Sequence, residues 1–400
     1  MKSFTDTRRT AAFILSKWLA TREFPSAMLP EGKDRAFVQD MVYTAIRRLR
    51  ALRFVLGDFV RQWPKGELES LLYIGAAQIL YMDDVPDFAA VNETVNAAKE
   101  CENPSIARVV NGVLRNLLRN LDAVKAKIAA AGPEVRESFP SAIARRWKER
   151  FGEERAAKLM AWHNLPAVTF IAGADGSFHA LERGRKVGDS QLFAQGKAIV
   201  QNPSTANATN LLGVEPGERV LDACAAPGGK TIRLAWAGAK VTACEVNPKR
   251  RERLVENLRR TGLEGKVRVI DSLEELAPGE TFAKVLADVP CSNTGVFRRR
   301  PDARWNWSEE KLAALERLQA EIADWCAKFV APGGSLVYST CSNEPEENQF
   351  AVKAFLERNP GFALAEEIEH VPGEGDADGA YAARLVKSQT ISTTKENKAT

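Results

Sequence analysis

LDACAAPGGKT, residues 221–231, runs from a short apolar strand through a turn of small residues into a helix. Such a turn leaves backbone N–H groups free and lets a ligand approach the chain closely, which suits a nucleotide-like molecule. The Gly229-Lys230-Thr231 spacing is similar to a phosphate-binding loop, but Cys224 stands where that loop needs its first glycine. The dinucleotide pattern G-x-G-x-x-G is also absent.

Reading onward, KVTACEV ends on Glu245, KVRVID on Asp271 and AKVLAD on Asp288, each an apolar run closing in a carboxylate. Strands alternating with helical segments indicate βαβ units and a largely parallel sheet, with its ligand at the carboxyl ends of the strands. Glu245 at the second strand end suits the two hydroxyls of a ribose. A ribose site without a pyrophosphate cradle points to S-adenosylmethionine, with Asp271 and Asp288 placed for its adenine amino group and its cationic methionine end. A phosphate-binding nucleotide hydrolase is the weaker alternative.

Reading backward, residues 1–130 carry the three-and-four spacing of amphipathic helices, as in SIARVVNGVLRNLL, where Ile106, Val109, Val110, Val113, Leu114 and Leu117 share a face. A small helical bundle is expected there. Residues 131–200, rich in Pro, Gly and charge and carrying ARRWKER, read as a connecting subdomain, and 201–387 as the α/β domain. The tail 388–400 has no apolar face and is expected to be disordered.

The net charge of +4 hides an asymmetry: residues 1–300 sum to +11 and 301–400 to −7. A basic majority fits a polyanionic partner. Six cysteines without a C-x-x-C pair, beside three histidines, argue against a disulfide framework or a zinc site and favour a reducing cytoplasm. No window reaches the roughly eighteen uninterrupted apolar residues of a membrane span.

Two further stretches carry thiols to strand ends: ADVPCSNTGVFRRRPDARW (287–305) with Asp288 and Cys291, and VYSTCSNEPEENQ (337–349) with Cys341. Two thiols and a carboxylate beside a methyl donor suit one reaction. Carbon 5 of cytosine is a poor nucleophile until a thiolate adds at carbon 6; the carbon 5 proton and the thiolate must then leave. A carboxylate near N3 stabilises the adduct. Arg298, Arg299, Arg300 and Arg304 are placed for flanking phosphates, and Trp305 or Trp307 for stacking. Asn343 reads as a helix cap just after Cys341, a helix start that favours a thiolate, while the carboxylates of Glu344, Glu346 and Glu347 oppose it. From the residues alone either thiol serves as nucleophile.

DACAAPGGKT, DVPCSNTG, RRRPDARW and YSTCSNEPEENQ, with the closing DGAYAARLVK, resemble the NOL1/NOP2/Sun family of RNA cytosine-5 methyltransferases over residues 201–387. VPDFAAVNETVNAAKE and VVNGVLRNLL resemble a NusB-type RNA-binding domain. The resemblance implies an all-α NusB-like bundle joined to a Rossmann-like class I methyltransferase domain. It makes Cys341 the nucleophile and Cys291 the group that aids release. It lines the cofactor site with Cys224, Ala225, Ala226, Pro227, Gly228, Gly229, Lys230, Glu245, Asp271 and Asp288. It further implies a 16S rRNA substrate, with transfer RNA as the alternative substrate and a non-catalytic assembly factor as the alternative class; no metal and no membrane are expected, and a monomer is favoured with the oligomeric state open. The chain departs from the pattern at Asn202, where an aspartate is frequent, at Arg300 in place of histidine, and at Glu245 in place of aspartate.

Overall fold

The computed structural model describes residues 4–101, 105–182, 184–373 and 375–389. The expected tail lies, from 390 on, outside the described residues.

The chain divides into two compact units, one of residues 1–165 with 297–307, the other of 166–296 with 308–400. The first unit is helical. In Ser105–Arg119, Val110, Val113, Leu114 and Leu117 repeat every three or four residues and are buried. They pack into one core with Leu15, Trp18, Met41, Leu72 and Ile74 from the preceding helices. The helices Ser141–Phe151 and Glu153–Trp162 also belong to this unit. The connecting subdomain expected at 131–200 is therefore split, its first half joining the helices. The reason is an aromatic cluster: Trp147 and His163 pack against Phe139 and Phe297, with ring centroids 5.4 to 6.3 Å apart.

The second unit opens with a small antiparallel sheet of β1 (Phe170–Gly173), β2 (Phe178–Ala180) and β3 (Ala198–Val200), in the order β2-β1-β3. Seven strands follow: β4 (Arg219–Asp222), β5 (Lys240–Cys244), β6 (Arg268–Ile270), β7 (Phe282–Asp288), β8 (Val330–Thr340), β9 (Phe362–His370) and β10 (Ala380–Lys387). They form one sheet in the order β6-β5-β4-β7-β8-β10-β9. The pairs from β6 to β8 are parallel, and β10 runs antiparallel to both neighbours. Side chains alternate between two cores: Leu221, Val285, Ala287 and Leu336 enter one, while Val220, Leu286 and Val337 enter the other. Burial on both faces explains why these strands read as continuous apolar runs.

Chain order steps outward from β4 to β5 and β6 on one side, then returns to β7 and β8 on the other. The crevice at the carboxyl ends of β4 and β7 is therefore a topological switch point, the place where open α/β sheets bind ligands.

Candidate active site

The loop after β4 is held in place by backbone and by its neighbours. Ala223 donates to Leu286 O at 2.9 Å and Ala225 to Cys244 O at 2.9 Å. The helix Pro248–Arg260 grips the outside of the loop, Arg250 donating to Ala226 O at 2.9 Å and Asn257 to Pro227 O at 2.9 Å. The Ala226-Pro227 bond is cis. Gly228 has φ +105°, and a Cβ there would lie 2.8 Å from Leu254 Cδ1, so only glycine fits before the helix Gly229–Trp236.

Four carboxylates line the strand ends. Asp222 is buried, and Thr231 donates to its Oδ2 at 2.7 Å. Glu245 is 3% exposed, accepts from Asn247 N at 3.0 Å and lies 3.5 Å from Arg250. Beside it Val246 is 72% exposed, an apolar surface where a flat ring can rest. Asp271 stands at the rim, 3.4 Å from Arg251. Asp288 meets Lys230 Nζ at 2.6 Å and accepts the Ser339 hydroxyl at 2.7 Å. Burial alone would lower the Lys230 ammonium, but Asp288 first and Asp222 after it outweigh that and hold it raised. Burial, and then the neighbouring Cys326 and carboxylates, push the Cys224 thiol well up. This donor set suits an adenosine with a cationic tail: a buried acceptor for ribose at Glu245, an apolar rest at Val246, and a small-residue turn at 224–229.

The two thiols converge. Cys291 Sγ and Cys341 Sγ are 3.3 Å apart, and Cys341 Sγ is 3.5 Å from Asn293 Oδ1. Gly295 N donates to Cys341 O at 3.0 Å, and a Cβ on Gly295 would lie 2.7 Å from that oxygen. Asn343 N donates to Thr294 Oγ1 at 2.8 Å. Beneath the pair, the fully buried Glu347 accepts from Ser292 N and Gln319 Nε2 at 2.8 and 2.9 Å and from the Ser292 hydroxyl. Burial raises the Glu347 carboxyl, against these bonds. Its bond with Cys341, then burial, then the charge of Glu347 push the Cys291 thiol well up.

Glu347 as a clamp, Asp222, Asn293 and Val246 were not singled out from the sequence for these places. The pairing of Ser292 with Glu347, 55 residues apart, leaves no local signal. The helix expected to start at Asn343 does not: Pro345 opens a single 3-10 turn, Pro345–Glu347, and the next helix is Gln349–Arg358. Asn343 instead ties the two thiol loops together.

The arginine cluster also differs from expectation. Arg304 is fully buried in the helical unit, where it lies 4.0 Å from the Phe139 ring centroid and donates to Asn164 Oδ1 at 3.1 Å and to the carbonyls of Arg47, Ser138 and His163 at 3.4 Å. Burial, then Arg47 and Arg48, depress its pKa well below the usual value. Arg298 is 3% exposed over Trp162. Neither side chain reaches a phosphate in this arrangement. Arg300 forks onto Asp302 at 3.0 and 3.2 Å and stays partly exposed, as does Arg299. Trp305 donates to Ile46 O at 2.8 Å and packs on the helical core instead of waiting for a base. Asn202 accepts from Ser204 N and Asp378 N, each at 3.1 Å, bonds an aspartate would accept equally. Among the described residues no group of three or more His, Cys, Asp or Glu side chains is arranged to hold a metal, and no described helix is long and apolar enough to cross a membrane.

Sheet order, crevice and loop define a Rossmann-like methyltransferase domain accompanied by a helical unit. Comparison with known proteins agrees. Residues 209–386 match the family described as 16S rRNA methyltransferase RsmB/F, and residues 5–119 match the NusB family. The chain is 31% identical to ribosomal RNA small subunit methyltransferase B of Klebsiella pneumoniae, over 97% of this chain and 99% of that one. The same enzyme of Shewanella oneidensis is 32% identical over 90% and 92%. The chain belongs to the RsmB/F family of rRNA methyltransferases. Among solved structures it shares its fold with PH0851, at a TM-score of 0.77, 21% identity and coverage of 95% and 99%. It also resembles NSun6 of Pyrococcus horikoshii with SFG, at 0.55, 18% identity and coverage of 63% and 99%.

Proposed function

We propose that the protein methylates carbon 5 of a cytosine in 16S rRNA through a covalent adduct on Cys341. The observation that carries this reading is the 3.3 Å approach of Cys291 and Cys341 at the strand ends that also hold Asp288. The names of the curated relatives support an rRNA substrate. SFG in the NSun6 structure, an S-adenosylmethionine analogue, supports the cofactor.

S-adenosylmethionine, when bound, supplies an electrophilic methyl group. Glu245 is assigned its ribose, Val246 its adenine face, and residues 224–229 the approach of its backbone. Cys341 adds as thiolate to carbon 6 of the ring, which makes carbon 5 a nucleophile. Lys230 and Asp288, paired at 2.6 Å, face the ring nitrogen and hold a proton there as charge builds. After methylation the carbon 5 proton passes to a base, the ring double bond re-forms, and the Cys341 sulfur leaves. Cys291, 3.3 Å from the Cys341 sulfur, is assigned to this release step, where as a thiolate it takes the carbon 5 proton while the Cys341 sulfur departs. The NusB-like helical unit binds the surrounding RNA, a monomer suffices, and the activity belongs in the bacterial cytoplasm.

The test uses transcribed 16S rRNA and labelled S-adenosylmethionine. Cys341→Ser abolishes methyl transfer, whereas Cys291→Ala accumulates an RNA–protein adduct that survives a denaturing gel. A Cys341→Ser protein with undiminished turnover refutes the mechanism.

A further inference from the structure

The helix Ser105–Arg119 turns a face without carboxylates to solvent. Its buried side consists of Val110, Val113, Leu114 and Leu117, which leaves Arg108, Gly112, Arg115, Asn116 and Arg119 exposed. Positions 108, 112, 115 and 119 lie four, three and four residues apart, so they form one stripe along the helix. At about 1.5 Å per residue the arginines stand about 10 and 6 Å apart along the axis. Asn111 Oδ1 accepts from Arg115 Nε at 2.7 Å and steadies that guanidinium.

Gly112 sits in the middle of the stripe. A Cβ there would meet nothing within 4 Å, so packing within the chain does not require glycine. The contrast is Gly75, where a Cβ would lie 2.4 Å from Leu114 Cδ1. Glycine is the poorest helix former after proline, so its use on an open surface costs stability without a return inside the fold. A bare helix backbone between arginines does admit a second backbone closely.

We propose that this face docks the phosphodiester backbone of the RNA substrate, with Arg108, Arg115 and Arg119 on phosphates and Gly112 admitting close approach. The inference rests on the reading that the substrate is RNA. Guanidiniums flanking a bare stretch of helix backbone fit a phosphodiester chain that comes in close; an acidic protein would need only the charge.

The full-length protein is titrated with transcribed 16S rRNA at several salt concentrations. Arg115→Ala with Arg119→Ala should raise Kd about tenfold or more and lower the slope of log Kd against log salt by about 1 to 2. Arg155→Ala with Lys158→Ala, on the helix Glu153–Trp162, removes equal charge and should leave both quantities near wild type. Gly112→Ala should raise the melting temperature by about 2–4 °C with RNA binding kept. Gly112→Leu should fold with a melting temperature at or above wild type and yet bind RNA several-fold more weakly. Wild-type affinity and slope in the double arginine variant, an equal loss in the control pair, or wild-type binding by Gly112→Leu each overturn the proposal. Methyl transfer by the wild-type protein is read in parallel. Normal transfer with unaffected variants removes the docking face alone, whereas absent transfer removes the proposed function and leaves the binding comparison to decide this face.

Discussion

Asp222 closes β4 beneath the loop that leads into the helix Gly229–Trp236, and only 1% of it is exposed. Burial, with help from Asp288, lifts its pKa from 3.8 to about 6, against the Thr231 hydrogen bond and the charge of Lys230. The folded protein therefore holds this proton more tightly than the unfolded chain does. The resulting stabilisation is complete below the unfolded value near 4 and is lost as pH rises through about 6. At about 1.4 kcal/mol per unit the whole effect is about 3 kcal/mol, of which about 2 falls between pH 4 and 7. Asp222→Asn keeps an oxygen for the Thr231 hydroxyl and cannot ionise. Urea unfolding of both proteins across that range should show the variant gaining about 2 kcal/mol on the wild type as pH rises. Taking the difference cancels groups that titrate elsewhere. A difference that stays flat from pH 4 to 7 refutes the reasoning.

Two more substitutions follow from burial. Glu347→Leu leaves Ser292 N without its acceptor and takes from the Gln319 amide one of its two, the other being Pro290 O, at about 1–3 kcal/mol for each lost bond. Urea melts should show the loss, smaller in Glu347→Gln, which keeps one oxygen; a leucine variant as stable as wild type would mean the clamp is not holding the thiol loops. Arg304→Met removes the donor to Asn164 and three carbonyls and should destabilise the helical unit by about 3 kcal/mol, with cofactor binding unchanged in calorimetry. A variant of full stability with weak RNA binding would instead return Arg304 to the surface.

β4, β5, β7 and β8 were legible because burial on both faces makes ERVLDA, KVTACEV, AKVLADV and GGSLVYST apolar runs, and the edge strand β6 because KVRVID closes its short apolar run on a carboxylate. The strands beyond β8 were not. Phe362–His370 is FALAEEIEH, an edge strand whose residues from 363 to 367 are all exposed, and such a run has no inward face to announce it. The arginines of 298–304 misled for a different reason. Sequence counts charge without showing carbonyls, and Arg304 turns inward to donate to backbone oxygens contributed from residues 47, 138 and 163. In the site, the strand-end residues were visible one at a time, whereas the acceptor that unites them, Glu347, acts across 55 residues on Ser292.

What fixes the distance between the sulfurs bears on how the thiol variants are read. Cys341 Sγ donates to Asn293 Oδ1 at 3.5 Å, a weak contact, and lies 3.3 Å from the second sulfur. The loops themselves are tied by stronger bonds that involve neither sulfur: Gly295 N to Cys341 O, Asn343 N to Thr294 Oγ1, Gly379 N to Gly295 O, and Glu347 to Ser292. Asn293, held at φ +61°, adds its amide to Cys291 O at 2.8 Å. A serine at either thiol position therefore removes almost nothing that positions the other. Loss of methyl transfer in Cys341→Ser would then speak for the proposed sulfur attack and not for a misplaced loop, because the scaffold that brings the two side chains together remains.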